Sequence, residues 1–104
     1  MTDWKEISAQ QANEKINTEE VIVIDIRDAD SYAGGHIPDA IQLTDTNAKE
    51  FFAEADKDKP VIIYCYHGIS SQGAASYLTG QGFKEVYSMA GGFESWRFTF
   101  PCEP

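Results

Sequence analysis

The sequence predicts an α/β domain with a parallel sheet, and three observations carry that expectation. Val21-Ile22-Val23-Ile24 and Val61-Ile62-Ile63 are continuous β-branched runs, the pattern of strands buried on both faces of a sheet. Other segments place apolar residues at helical spacing, as in Ala9, Ala12 and Ile16, and again in Ala74, Ala75 and Leu78. Strand-like and helix-like segments alternate along the whole chain, the order that builds a parallel sheet flanked by helices.

Taken in order, Trp4 to Ile7 is a short first strand. Ser8 then reads as a helix N-cap, with Gln11 three residues on completing a capping box. The helix ends at Asn17-Thr18, and Val21 to Ile24 is the second strand. Asp25-Ile26-Arg27-Asp28 falls at its C-terminal end, where open α/β sheets place functional groups. Ala29 to Gly35 is turn-rich, with one helical turn and a Gly34-Gly35 close. His36-Ile37-Pro38-Asp39 leads into a short strand, Ala40 to Leu43. Asn47 with Glu50 gives a second cap signal, opening a helix through Phe51, Phe52 and Ala55. Asp56-Lys57-Asp58-Lys59 is a solvated turn, and Pro60 starts the central strand where its missing N–H is tolerated. Ser71 to Gln81 is a helix with Gly82 at the position that ends it. Glu85-Val86-Tyr87 is a strand. Gly91-Gly92 introduces a last helical turn or two, with Phe93, Trp96 and Phe100 on one side.

The totals fit one soluble domain. The 104 residues suffice for a single core, and 42% apolar with 24% charged residues is ordinary globular composition. A net charge of −9 argues against nucleic acid and anionic membranes as partners, because both select basic patches. Two cysteines, Cys65 and Cys102, are too few for a disulfide framework and lack metal-ligand spacing. The polar start has no signal-peptide pattern and no run has the length of a membrane span. The expected location is the cytoplasm, where a thiol stays reduced.

One stretch carries chemistry. The central strand runs into Cys65-Tyr66-His67-Gly68-Ile69-Ser70-Ser71, a compact glycine-bearing loop that enters a helix. A loop of this kind gathers backbone N–H groups near one point, and the helix start favours negative charge there. A cysteine at its base ionises easily, and the thiolate is the nucleophile. Cys65 therefore reads as a catalytic nucleophile that handles an anionic substrate.

Three stretches together resemble the rhodanese family of sulfurtransferases. They are Asp25-Ile26-Arg27 with Tyr32, Gly35-His36-Ile37-Pro38 and Ala40; the loop from Cys65 to Ser71; and Gly91-Gly92-Phe93-Glu94-Ser95-Trp96. The loop is most similar to that of the small single-domain thiosulfate sulfurtransferases. The resemblance implies a rhodanese-like single domain over residues 1–104, with a five-stranded parallel sheet flanked by helices. It implies Cys65 as the catalytic residue, and Tyr66, His67, Gly68, Ile69, Ser70 and Ser71 as the substrate-binding loop. The implied reaction is double displacement: sulfur passes from thiosulfate to Cys65 as a persulfide, sulfite leaves, and an acceptor takes the sulfur. Cyanide, a small thiol or a thiol protein such as thioredoxin would be that acceptor; no cofactor or metal is implied. Many members carry basic residues in or beside the loop, whereas here Ser70, Ser71 and Gln72 stand at its end, and Ser31 stands where many carry Glu.

The remaining polar residues have plainer readings beside the functional ones. Ser70 and Ser71 are helix caps that also point hydroxyls at the persulfide or a sulfonate oxygen. His67 either lends partial positive charge or lies exposed in the loop. His36 holds its turn by hydrogen bonding, and Asp25 with Arg27 forms a structural ion pair beneath the site. Phe93, Trp96 and Phe100 are packing residues, and Cys102 is a bystander. A phosphatase or arsenate reductase of related fold would need Cys-x5-Arg to grip a tetrahedral oxyanion; the sixth residue after Cys65 is Ser71. A non-catalytic carrier of persulfide sulfur is the rival from another class, and the intact nucleophile and loop favour chemistry over it.

Overall fold

The structure, a computed structural model, describes residues 4–104. Its elements are β1 (Lys5–Ile7), α1 (Ala9–Thr18), β2 (Ile22–Asp25), α2 (Ala29–Gly34), β3 (Ile41–Gln42), α3 (Ala48–Glu54), β4 (Val61–Tyr64), α4 (Ser70–Gly80), β5 (Val86–Met89) and α5 (Gly92–Trp96). The five strands form one parallel sheet in the order β1-β5-β4-β2-β3. This is the expected five-stranded sheet flanked by helices.

Strand periodicity divides the core into two layers. Val23, Ile62, Tyr64 and Met89 point to one face, where they pack with Ala12 of α1 and with Phe93 and Trp96 of α5. Ile24, Val61, Ile63 and Val86 point to the other, against Ala75 and Leu78 of α4 and Phe51 and Phe52 of α3. All four residues of β4 are fully buried, as its unbroken apolar run requires.

The connections out of β2 and β4 run in opposite directions, towards β3 and β5 respectively, and the two strands are neighbours. That divergence opens a crevice at their C-terminal ends, where α/β sheets bind ligands. Asp25 ends one strand and Cys65 follows the other, so the two motifs meet there.

Several local expectations hold and some are corrected. Ser8 and Gln11 form the capping box, with Gln11 N–H donating to Ser8 Oγ at 3.1 Å and Ser8 N–H to Gln11 Oε1 at 2.9 Å. Asn47 does not cap α3. Its Oδ1 accepts from Thr44 N–H at 2.8 Å and its Nδ2 donates to Gln42 O at 2.7 Å, so the side chain ties down the preceding turn instead. The turn-rich segment after Asp28 is a six-residue helix, with Asp28 accepting from Ser31 N–H at 3.1 Å. β5 extends to Met89, two residues beyond expectation, because Ile7 of β1 is there to pair with it.

Candidate active site

Cys65 leaves β4 with its side chain nearly enclosed, at 7% exposure. The chain loops once and enters α4 at Ser70. Its Sγ accepts from Gly68 N–H at 3.1 Å and from Ser71 N–H at 3.3 Å. The N-cap residue of α4 is Ile69, which has no side chain able to cap. The sulfur therefore stands where a capping oxygen would stand, and the Ser71 N–H of the first helical turn serves it directly, with the loop N–H of Gly68 beside it.

The N–H groups face inward because the loop carbonyls are fastened outward. Cys65 O accepts from Phe93 N–H at 2.9 Å, and Tyr66 O from Glu94 N–H at 3.0 Å, both donors lying in the first turn of α5. Gly68 O accepts from the side-chain amide of Gln72 at 3.0 Å. Two glycines make this approach possible. Gly68 has φ +88°, and a Cβ there would lie 2.7 Å from Gly91 N. Gly92 has φ +57°, and its Cβ would lie 2.5 Å from Cys65 O and 2.6 Å from Tyr66 O. The Gly91-Gly92 turn is thus the bed on which the loop rests.

Burial works to raise the Cys65 thiol pKa, but the Ser71 hydroxyl and the N–H groups of Ser71, Gly68 and His67 outweigh it. The pKa falls below the ordinary thiol value. Cys102 differs: burial pushes its thiol up, with only partial offset from Arg27 and Arg97, although the residue as a whole is exposed.

Cys65, Tyr66, His67, Ile69 and Ser70 line a cleft of about 270 Å³ that opens over the sulfur. Tyr66, His67, Ile69 and Ser70 are exposed at its rim, while Gly68 and Ser71 are buried beneath. The fold thus brings together all seven loop residues. A larger cleft of about 710 Å³ between Ser8–Gln10 and the start of α5 holds no thiol and no titratable side chain.

Below the loop, Arg27 donates to Asp25 Oδ2 through Nε at 3.0 Å and Nη2 at 2.7 Å, and to Gly35 O at 2.6 Å. Its guanidinium centre lies 4.1 Å from the Phe93 ring centroid and 5.7 Å from that of Tyr66. Burial opposes the charge on Arg27, yet hydrogen bonding and attraction to Asp25 raise its pKa further. The pair is the structural ion pair expected: it joins the exit of β2 to the Gly35 turn and to the floor of the loop. His36 likewise holds its turn, with Nδ1 2.9 Å from Tyr32 O and its ring stacked on Tyr32 at 3.8 Å. Phe93 and Trp96 are buried, with Phe100 packed against them.

One expectation about the loop is corrected. Neither Ser70 nor Ser71 is a cap; both lie inside α4, which begins one residue earlier than expected. Ser70 is exposed, whereas the Ser71 hydroxyl is fully buried 2.8 Å from Ser88 Oγ of β5. Two features escaped sequence reasoning: the N–H clamp of α5 on the loop carbonyls, and Ser88. The Gly-Gly pair ahead of a short helix is a signal for the first, and a serine amid buried strand residues is a signal for the second.

Among the described residues, no helix is long and apolar enough to cross a membrane, and no three His, Cys, Asp or Glu side chains are grouped to hold a metal. The family model of the rhodanese-like domain matches residues 8–99. A protein of Ectopseudomonas mendocina named thiosulfate sulfurtransferase GlpE is 52% identical over 103 residues, covering 99% of this chain and 94% of its own. Its namesake in Pseudomonas savastanoi pv. phaseolicola is 48% identical, covering 99% and 96%. The crystal structure of a rhodanese-related protein from Thermoplasma volcanium matches with a TM-score of 0.80 at 26% identity, covering 95% of this chain and 97% of that one. With the loop, the Asp25–Arg27 floor and the Gly91-Gly92 bed all in place, the chain belongs to the rhodanese family.

Proposed function

We propose that the chain is a thiosulfate sulfurtransferase, a single-domain enzyme of the cytoplasm in which Cys65 carries the sulfur. The Cys65 thiolate attacks the outer sulfur of thiosulfate. A new S–S bond forms to Sγ, the S–S bond of thiosulfate breaks, and sulfite leaves with the bonding electron pair. The resulting persulfide anion keeps the negative charge at the mouth of the Gly68 and Ser71 N–H groups. A nucleophilic acceptor then attacks the outer sulfur and restores the thiolate. Cyanide becomes thiocyanate, and a thiol, including one on a protein such as thioredoxin, becomes a persulfide. Neither half-reaction requires a proton to be taken from the donor.

The observation that carries this reading is the position of Cys65 Sγ at the uncapped start of α4, facing two N–H donors at 3.1 and 3.3 Å. An anion formed on Sγ, or one atom beyond it, is stabilised there without a lysine or arginine in the loop. Tyr66, His67, Ile69 and Ser70 form the entrance that the donor and acceptor meet. A phosphatase reading lacks its guanidinium, since Arg27 is committed to Asp25 and Gly35.

Intact-protein mass after thiosulfate treatment tests the reading. One added sulfur atom is expected, located on Cys65 by peptide mapping and absent from Cys102. Label on Cys102, or none under conditions that preserve persulfides, would overturn it. Varying thiosulfate and cyanide together should give parallel double-reciprocal lines, because sulfite departs before the acceptor reacts.

A further inference from the structure

We infer that the groove between β3 and α3 docks a short basic segment of a partner protein, which seats a branched apolar side chain between lysines or arginines. The inference is independent of the sulfur chemistry, because the groove shares no residue with the cleft over Cys65. The sheet order leaves β3 as an edge strand. Ile41 pairs in register with Ile24, so its side chain leans to the face covered by α3 and α4. Among the described residues no strand lies beyond it, and Ile41 stays 42% exposed. Alone, an exposed isoleucine needs no explanation. Here it continues into half-buried Ile22, Phe51 and Ala55, and together they floor a groove of about 360 Å³. Phe51 stacks on Phe83 with ring centroids 5.9 Å apart and meets Phe52 edge-on, so this wall is fixed before any partner arrives.

The charges on the groove select its occupant. Glu50 and Glu54 line it one helical turn apart, and both are exposed. Like charges at this spacing repel, and Glu54 also ends α3, where the helix dipole disfavours a carboxylate. Among the described residues neither carboxylate belongs to an ion pair. The bases that follow α3 in the chain are engaged elsewhere: Lys59 pairs with Glu20 at 3.0 Å, and Lys57 donates to Phe52 O. Lys49, on α3 itself, does not line the groove. Two unpaired carboxylates beside an apolar floor complement an apolar anchor flanked by cations, and such a segment would relieve their repulsion. A second copy of the chain is a poor occupant. Each copy carries −9, and although Arg97 lies beside the exposed Phe98, its guanidinium is held by Glu94 at 3.0 Å.

The probe is a blocked peptide of Lys-Leu-Leu-Lys repeated in tandem, followed by chemical-shift mapping on the full chain at low ionic strength. Shifts should concentrate at Ile22, Ile41 and Phe51. Ile41→Ser should weaken the peptide roughly three- to tenfold, and so should Glu50→Gln combined with Glu54→Gln. Glu6→Gln combined with Glu14→Gln removes the same charge from β1 and α1, at the other edge of the sheet, and should leave the affinity within about twofold. The free Glu50→Gln/Glu54→Gln protein should unfold at a higher urea concentration than the parent, because the repulsion is gone. Shifts spread over the acidic surface, a control pair that weakens the peptide as much as the groove pair, or no binding at millimolar peptide would overturn the inference. A lowered urea midpoint would show that the carboxylates support α3 and would count against it too. Sedimentation that shows self-association abolished by Ile41→Ser would give the groove to a second copy and overturn the partner segment.

Discussion

Two helices of this chain start in similar places and end up with opposite uses. Both α1 and α4 follow a strand at the C-terminal edge of the sheet. At α1, Ser8 and Gln11 satisfy each other's backbone N–H groups, and the helix start is closed. At α4, Ile69 supplies no cap, and Cys65 Sγ receives Ser71 N–H in place of a side-chain oxygen. A capped start contributes about 0.5–2 kcal/mol to stability and has little left to offer a ligand. An uncapped start gives up that gain and keeps its dipole for the sulfur. The difference teaches that the site is a helix start whose cap has been replaced by the nucleophile.

The largest expected effect comes from removing the bed that holds the loop open. In Gly92→Ala, a Cβ 2.5 Å from Cys65 O would push the loop away, and φ +57° is strained for alanine. Turnover should fall about a hundredfold or more, since a shift of about 1 Å is enough for that. Stability should fall by roughly 3 kcal/mol, read by urea denaturation. Gly73→Ala, inside α4 with nothing within 4 Å of the new methyl, is the control. It should gain about 0.5–1 kcal/mol and leave turnover alone. Equal behaviour of the two variants would break the account of the loop.

The next effect separates the two thiols. Exposure alone predicts that Cys102 reacts first with iodoacetamide, because Cys65 is nearly enclosed. Ionisation predicts the reverse. The Cys65 pKa is lowered from the ordinary thiol value and that of Cys102 is pushed up. As pH falls from alkaline conditions, the Cys102 rate should drop first, and the Cys65 rate should persist until pH passes through its lowered pKa. Near neutral pH Cys65 should react several-fold faster, as seen in peptide-resolved rates. A faster Cys102 would mean that access, and not the helix start, governs reactivity.

These contrasts also mark what was legible in the amino-acid sequence. The α1 start was legible because a capping box is local: both partners lie within four residues. The β-branched runs of β2 and β4 were legible because parallel strands buried on both faces need no alternation. Ser70 and Ser71 were misread as caps for the same local reason, since their types suit that role and nothing nearby reveals that a cysteine occupies it. Asn47 also has cap chemistry, but the turn behind it competes for its amide. Ser88 and the α5 clamp were hidden because each joins elements distant in sequence, on residues 17 to 28 positions away, where only the fold sets the register. Cys65 stood out because its strand, loop and helix are contiguous.

A smaller effect tests the closed start. Ser8→Ala should cost about 0.5–2 kcal/mol in denaturant unfolding while leaving the Michaelis constant for thiosulfate unchanged. A change in that constant would show that the two helix starts are coupled, and the comparison between them would lose its meaning.

The smallest effect concerns charge at the open start. Thiosulfate is a dianion, the chain carries −9, and no lysine or arginine lies between Cys65 and Leu78. Gln72 sits in the first turn of α4 with its amide on Gly68 O at 3.0 Å, so its side chain already reaches the loop that holds the sulfur. A lysine there can donate to the same carbonyl and adds a cation near the mouth. It opposes the helix dipole by roughly 0.3–1 kcal/mol, a cost that falls on stability. Its attraction for the substrate should be of similar size and fall on capture. Gln72→Lys is therefore expected to lower the Michaelis constant for thiosulfate about two- to fivefold at low ionic strength. The gain should fade as salt rises, because screening acts over about 10 Å at 0.1 M. The maximal rate should hardly move, since the cation assists arrival and the N–H groups of Gly68 and Ser71 hold the anion that forms on the sulfur. A constant unaffected at low salt would show that those N–H groups already set the affinity. The open helix start would then suffice for capture as well as for chemistry.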